Sequence, residues 1–303
     1  MSWRLRMFLW LLHRKPEQLP IADVNQYRQI ATDNWKSNRI WIDGRLVMVA
    51  KVLDDVILNR HGQPIRVRKY VPENPNGKVM FYLHGGGWVG RNIETYDNFC
   101  RRVCRNTHFT IYSIEYRKSP ETPFPGAIED GQDVIRHLIR DPEVDPANLY
   151  LCGDSAGGNM AIGICYLLRS ELTFKKILIF YPPLSADLDY PSFDTYGRGY
   201  IIEKEIIAWM RDQYLPSPED ARHFLASPLY HTDFSFLPPT LLTTGGNDPL
   251  QDHAREFANK AKDSGVNVSF LEYPGLPHGF YLLHNLSHKV KTAYRDVYRF
   301  LQV

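Results

Sequence analysis

Ser155 stands in Gly153-Asp154-Ser155-Ala156-Gly157, directly after the apolar run Leu149-Tyr150-Leu151 and before the helical pattern "NMAIGICYLL". A serine hydroxyl is a weak nucleophile until a neighbouring base takes its proton. A tight strand-to-helix turn would lift that hydroxyl clear of a sheet, and glycines beside it remove Cβ atoms that would collide with neighbouring elements. The helix start behind it favours developing negative charge. About 70 residues upstream, "LHGGGWVG" (Leu83 to Gly90) ends another apolar run. Consecutive glycines let the main chain turn its N–H groups inward, as stabilisation of an oxyanion requires. The bland reading of the serine turn is a glycine-rich loop that packs a helix or holds phosphate, but no nucleotide-loop pattern accompanies it. For the glycine run the bland reading is a linker. His84 and Trp88 bracketing it after an apolar strand argue against that.

Activation of such a serine needs a base and an acid, and in strand-turn-helix serine hydrolases the chain order is serine, acid, histidine. "PTLLTTGGNDPLQD" offers Asp248 and Asp252. Asp248 follows the strand in a loop and precedes Pro249, so it is the expected acid, whereas Asp252 is read as the cap of the helix "HAREFANKAKDSG". Four histidines lie downstream: His253, His278, His284 and His288. His253 falls inside that helix. His284 and His288 are placed on solvent-facing surface near the C-terminal helix. His278, in "PGLPHGF" after the last strand and beside Gly279, is the expected base.

The elements that must position these residues follow from periodicity and breakers. "DDVILNRHGQPIRVRKYVP" reads as a hairpin turning near His61-Gly62. "KVMFYLH", "FTIYSIEY", "NLYLC", "KKILIFYPP", "PTLLTTGG" and "VNVSFLEYP" read as further strands. Helical stretches stand between them, one with Pro125 near its start, and a last helix begins at about Ser287. Strands alternating with helices predict a mostly parallel sheet covered on both faces. Residues 184–227 break the alternation and read as an insertion, with one helix from about Glu203 to Tyr214. Together with residues 1–45 they are expected to form a helical cap on a catalytic domain of residues 46–303.

Composition sets outer limits. The chain has 303 residues, 44% hydrophobic and 23% charged, which suffices for a full core. A net charge of +2 supplies no electrostatic argument for nucleic acid. Cys100, Cys104, Cys152 and Cys165 lack zinc-site spacing and read as buried reduced thiols of a cytoplasmic protein. In "MSWRLRMFLWLLHRK" the apolar run Met7–Leu12 is far short of the roughly 20 residues of a spanning helix, and no small-residue cleavage site follows. A retained helix is expected, with Arg6 and His13 on a narrow polar face and Trp3, Met7, Trp10 and Leu11 on a wide apolar one. The favoured reading folds that face onto the insertion as a substrate lid. The other makes it a peripheral membrane contact.

The blocks "HGGGWVG", "YRKSPETPFPGAIED", "GDSAGGNMA", "YPPL", "GGNDPLQDHAREFANKAKDSGV" and "LPHGF", in this order, resemble the hormone-sensitive-lipase-like branch of the α/β-hydrolases, the family IV bacterial esterases, from about residue 50 onward. The resemblance implies an α/β-hydrolase fold with a cap and a serine carboxylesterase acting on short- to medium-chain esters without cofactor or metal. It implies catalytic Ser155, Asp248 and His278 and an oxyanion hole from Gly86, Gly87 and Ala156, with Gly85 included in that loop and serving mainly its turn. His84, Trp88 and Asp154 are assigned to substrate binding. Lys118-Ser119 and Gly246-Asn247 depart from residues common in the family. Alternatives on the same scaffold are a lipase, an amidase or a non-catalytic small-molecule receptor. The expected partner is a small ester, with no nucleic acid, in a monomer or homodimer.

Overall fold

The computed structural model describes residues 1–13 and 23–302. Two helices come first, α1 (Trp3–Leu12) and α2 (Val24–Ile42), then the hairpin β1 (Lys51–Leu58) and β2 (Pro64–Val71). The alternating part follows as β3 (Val79–Leu83), α3 (Ile93–Thr107), β4 (Thr110–Glu115), α4 (Gly126–Leu138), β5 (Leu149–Asp154), α5 (Ala156–Leu168) and β6 (Lys176–Phe180). After α6 (Pro191–Tyr196) and α7 (Lys204–Tyr214), it resumes with β7 (Thr240–Asn247), α8 (Gln251–Asp263), β8 (Val268–Pro277) and α9 (His288–Leu301). The eight strands form one sheet in the order β1-β2-β4-β3-β5-β6-β7-β8. β1, β2 and β4 pair antiparallel, and every pairing from β4 through β3 to β8 is parallel.

Central strands that are buried on both faces need apolar residues at every position. β3 (Val-Met-Phe-Tyr-Leu) is buried throughout, and so is β5. Successive side chains point to opposite faces, which divides the core in two. Phe81, Leu83, Leu149, Leu151, Ile177 and Ile179 join α4, α5 and α8 on one side. Met80, Tyr82, Tyr150, Cys152, Leu178 and Phe180 join α3 and α9 on the other. The four cysteines are free and buried within these layers.

The 19-residue helix α2 is absent from the sequence reading. Polar residues occupy most of its length, so its apolar stripe is too sparse to stand out. Its N-terminus is capped by Asp23, whose carboxylate accepts the Asn25 N–H at 2.8 Å. At its other end Asp43 meets Arg102 of α3. The guanidinium donates to the Asp43 carboxylate and to its carbonyl oxygen, and Asn98 donates to the same carboxylate at 2.9 Å. Both charged side chains are almost wholly buried. A buried pair gains little net stability, but losing one partner strands the other charge. Replacement of Asp43 by alanine is therefore expected to destabilise the fold by about 3–5 kcal/mol, read as a lower urea midpoint with an unchanged slope.

Candidate active site

The serine turn forms where β5 meets α5. Ser155 has φ +50° and ψ −123°, a sparsely populated conformation that costs of order 1–3 kcal/mol and persists only where surroundings enforce it. Here they do. A Cβ on Gly153 would lie 2.2 Å from the Gly157 carbonyl oxygen, and one on Gly157 would lie 2.0 Å from that of Leu83. Only glycine permits this approach of the turn to β3.

His278 follows β8, and the residue after it, Gly279, has φ +70°. This turn swings the imidazole over the serine, with Nε2 2.9 Å from Ser155 Oγ. Nδ1 lies 2.9 Å from Asp248 Oδ2. Asp248 is fully buried after β7, and its other oxygen accepts the Leu250 N–H at 2.9 Å. A carboxylate can only accept, so it holds the proton on Nδ1 and leaves the Nε2 lone pair facing the hydroxyl. The three residues expected from sequence thus meet from the ends of β5, β7 and β8. Asp252 goes elsewhere. Rather than capping α8, it accepts the Ser192 N–H at 2.9 Å at the start of α6 and pairs with Arg255.

The glycine loop after β3 lies against the serine turn, where a Cβ on Gly157 would meet the carbonyls of Leu83 and His84. The N–H groups of Gly86 and Gly87, and that of Ala156 at the first position of α5, have no protein acceptor among the described residues. Gly85 differs. Its N–H donates to Asp154 Oδ1 at 2.7 Å, so it is not free for an oxyanion and serves the turn instead.

Three assignments to substrate binding are corrected by burial. Asp154 accepts the Tyr82 hydroxyl at 2.6 Å as well as the Gly85 N–H. It is a clamp between β3 and β5 rather than a ligand contact. His84 is fully buried between the rings of Tyr96 and Tyr116. Its Nδ1 lies 2.8 Å from the Gly85 carbonyl, and the Tyr116 hydroxyl donates to its own carbonyl at 2.8 Å. Trp88 has one ring face covered by Tyr214 of α7, nearly parallel at 4.2 Å, and is 7% exposed. It is a wall of the loop rather than an open pocket floor. Sequence reasoning also missed what covers the loop. Met210 of α7 fills the space above Gly87, where a Cβ would lie 2.0 Å from its Sδ. Arg28 of α2 donates to the carbonyls of Val89 and Ser119, each at 2.8 Å, and to Glu121. Neither contact has a local sequence signal, because each joins elements far apart in the chain.

The surrounding histidines differ in charge behaviour from any exposed imidazole. Burial pushes the pKa of His84 down to about 4, with Glu115 opposing the shift. Burial likewise lowers His253 to about 4, against the Asp187 carbonyl.

The model of the alpha/beta hydrolase fold family matches residues 80–282. The chain belongs to this family. Its sequence blocks place it in the hormone-sensitive-lipase-like branch. It is 30% identical over 239 residues to the ethyl acetate hydrolase of Pseudomonas putida, covering 76% of this chain and 75% of that protein. It is 31% identical over 237 residues to the carboxylic ester hydrolase LipN of Mycobacterium tuberculosis, covering 73% of this chain and 62% of the relative's length. The structure of a hyperthermophilic esterase from the archaeon Pyrobaculum calidifontis superposes with a TM-score of 0.92 at 30% identity, covering 100% of this chain and 98% of that one.

Two outcomes follow from this geometry. Asp248→Asn should lower kcat on an activated ester by about 10⁴, the loss that a wrong histidine tautomer produces in another triad. Asp252→Asn, the matched control, should change it little. Stability should also respond to acid. Unfolded, His84 and His253 take up protons as pH falls through about 6.5, whereas folded they resist until about 4. The unfolded chain therefore binds more protons in that window, and stability falls as pH drops from 6.5 towards 4. The slope is at most about 1.4 kcal/mol per pH unit for each histidine. Urea titrations across this range should show the decline, and His253→Gln should flatten it.

Proposed function

We propose that the protein is a serine carboxylesterase in which Ser155 is the nucleophile, His278 the general base and Asp248 the acid that orients it. One observation carries this reading: the unbroken hydrogen-bond chain from Ser155 Oγ through both ring nitrogens of His278 to a buried Asp248 carboxylate. Ser155 Oγ attacks the ester carbonyl while its proton passes to His278 Nε2. The Asp248 carboxylate stabilises the imidazolium that results. The carbonyl oxygen, now an oxyanion, accepts from the N–H groups of Gly86, Gly87 and Ala156, which are fixed before reaction begins. Collapse of this intermediate breaks the bond to the alcohol, which leaves with the proton from Nε2. Water then attacks the acyl-serine, giving its proton to Nε2, and carboxylic acid and free Ser155 are regenerated.

The relatives named for ester hydrolysis support esters as substrates. Short to medium acyl groups are the proposed class, because the oxyanion loop is roofed closely. Met210 sits on Gly87, and Tyr214 covers Trp88. We assign α2 and α7 to a cap over this loop, since Tyr27 and Trp209 join them through rings 5.2 Å apart. A p-nitrophenyl ester series of increasing acyl length should show kcat/KM highest at short chains, and Ser155→Ala should abolish turnover throughout. Faster hydrolysis of emulsified long-chain triglyceride than of soluble short esters would overturn the substrate class. Parental rates in the Ser155 variant would overturn the nucleophile.

A further inference from the structure

Helix α1 does not hide its wide apolar face. Leu5 and Leu9 are its buried pair, while Trp3 is 68% and Trp10 54% exposed, and Met7 and Leu11 are exposed as well. The expectation that the insertion covers this face is not met. A hydrogen bond joins α1 to the insertion, the His13 imidazole lying 2.9 Å from the Tyr200 carbonyl. The anchor of α1 is elsewhere. Ser2 donates to the Leu286 carbonyl, and Arg4 reaches that of Asn285. Asn285 in turn donates its N–H to the Ile42 carbonyl at 2.9 Å, at the end of α2. The aromatic helix, the end of α2 and the segment leading into α9 are therefore one surface. It carries further exposed apolar side chains at Trp41 and Met48.

The same segment opens a cleft of about 580 Å³ between α3 and α9. Arg105, His288, Lys291 and Arg295 line it together with Arg102 and His284, and no carboxylate does. Arg102 is matched by buried Asp43. Among the described residues, Arg105, Lys291 and Arg295 have no acidic partner. Helix α9 aggravates this concentration of charge. A helix N-terminus favours acidic residues, yet its first turn has none and instead begins His288-Lys289. His284 lines the same cleft. Its pKa is lowered to about 4 by burial and then by the charges of Arg102 and Lys291. A protein of net charge +2 thus gathers unmatched cations at one place, against local helix preference and next to exposed tryptophans.

We propose that this face, the exposed side of α1 with the cationic cleft between α3 and α9, docks the protein on an anionic phospholipid bilayer. Trp3, Met7 and Leu11 enter the interfacial layer, where an amphipathic helix lies in the membrane plane. The cleft receives the phosphate of an anionic headgroup, and Arg105, Lys291 and Arg295 supply the counter-charge. Among the described residues no helix is long and apolar enough to cross a membrane, so the attachment is peripheral.

Co-sedimentation of the full chain with vesicles tests this, comparing phosphatidylcholine alone with phosphatidylcholine containing phosphatidylglycerol. The protein should partition onto the anionic vesicles only, and high salt should release it. Lys291→Glu/Arg295→Glu should weaken partitioning at least about tenfold, and Trp3→Ser/Met7→Ser on the other element should weaken it independently. Circular dichroism of each variant should match the parent. Equal binding to neutral vesicles, no vesicle binding, or binding unchanged in both variants would overturn the proposal. Inorganic phosphate raising the melting temperature through the cleft, without any partitioning to vesicles, would replace it with a pocket for a small free anion.

Discussion

The site depends on how closely two pieces of main chain approach. The turn after β5 presses on the end of β3 so tightly that no side chain fits at Gly157. Across this contact, Asp154 ties β5 to β3 and its glycine loop through the Gly85 N–H and the Tyr82 hydroxyl. One carboxylate thus joins the strand that ends at the Ser155 turn to the loop that carries Gly86 and Gly87. Burial in that position raises the pKa of Asp154, with hydrogen bonds from Tyr82, Gly85 and Tyr96 opposing the rise. Its role is to position, and it is out of reach of any substrate.

The strain at Ser155 is held by the same arrangement. The Ser155 N–H donates to the Phe180 carbonyl at 2.8 Å, so β6 braces the turn from the side opposite β3. Tyr181, the next residue, sets its ring edge against His278 at 4.8 Å. Three parallel strands therefore end around one hydroxyl, and the parallel register places base and acid within reach of it. The glycine loop after β3 is covered from other elements. Met210, Tyr214 and Arg28 close it, from elements that precede and follow the catalytic blocks. Asn247, a departure from the family pattern beside Asp248, donates to the Tyr200 hydroxyl at 2.9 Å, which links the insertion to the acid loop.

The turns of the candidate site were legible in the sequence wherever they rest on local backbone. Gly153 and Gly157 mark the turn, Gly86 and Gly87 the free N–H groups, and Gly279 the left-handed residue beside the base, because each conformation excludes side chains. The strands were equally plain, since burial on both faces leaves no charged residue in β3 and only the terminal Asp154 in β5. Their alternation with helices also implied the parallel sheet.

Only the tertiary structure decided which neighbouring residues touch a ligand and which hold the frame. His84, Asp154 and Trp88 lie beside reactive positions in sequence, yet their side chains turn into the core, where Tyr116, Tyr82 and Tyr214 meet them. The side on which a residue packs depends on partners distant in the chain, and no local period records them. The same holds for α1. Its composition implies an apolar face, but which residues are buried was set by where Ser2 and Arg4 find acceptors, at Leu286 and Asn285. That placement leaves its tryptophans exposed beside a cleft whose cations come from two helices almost two hundred residues apart.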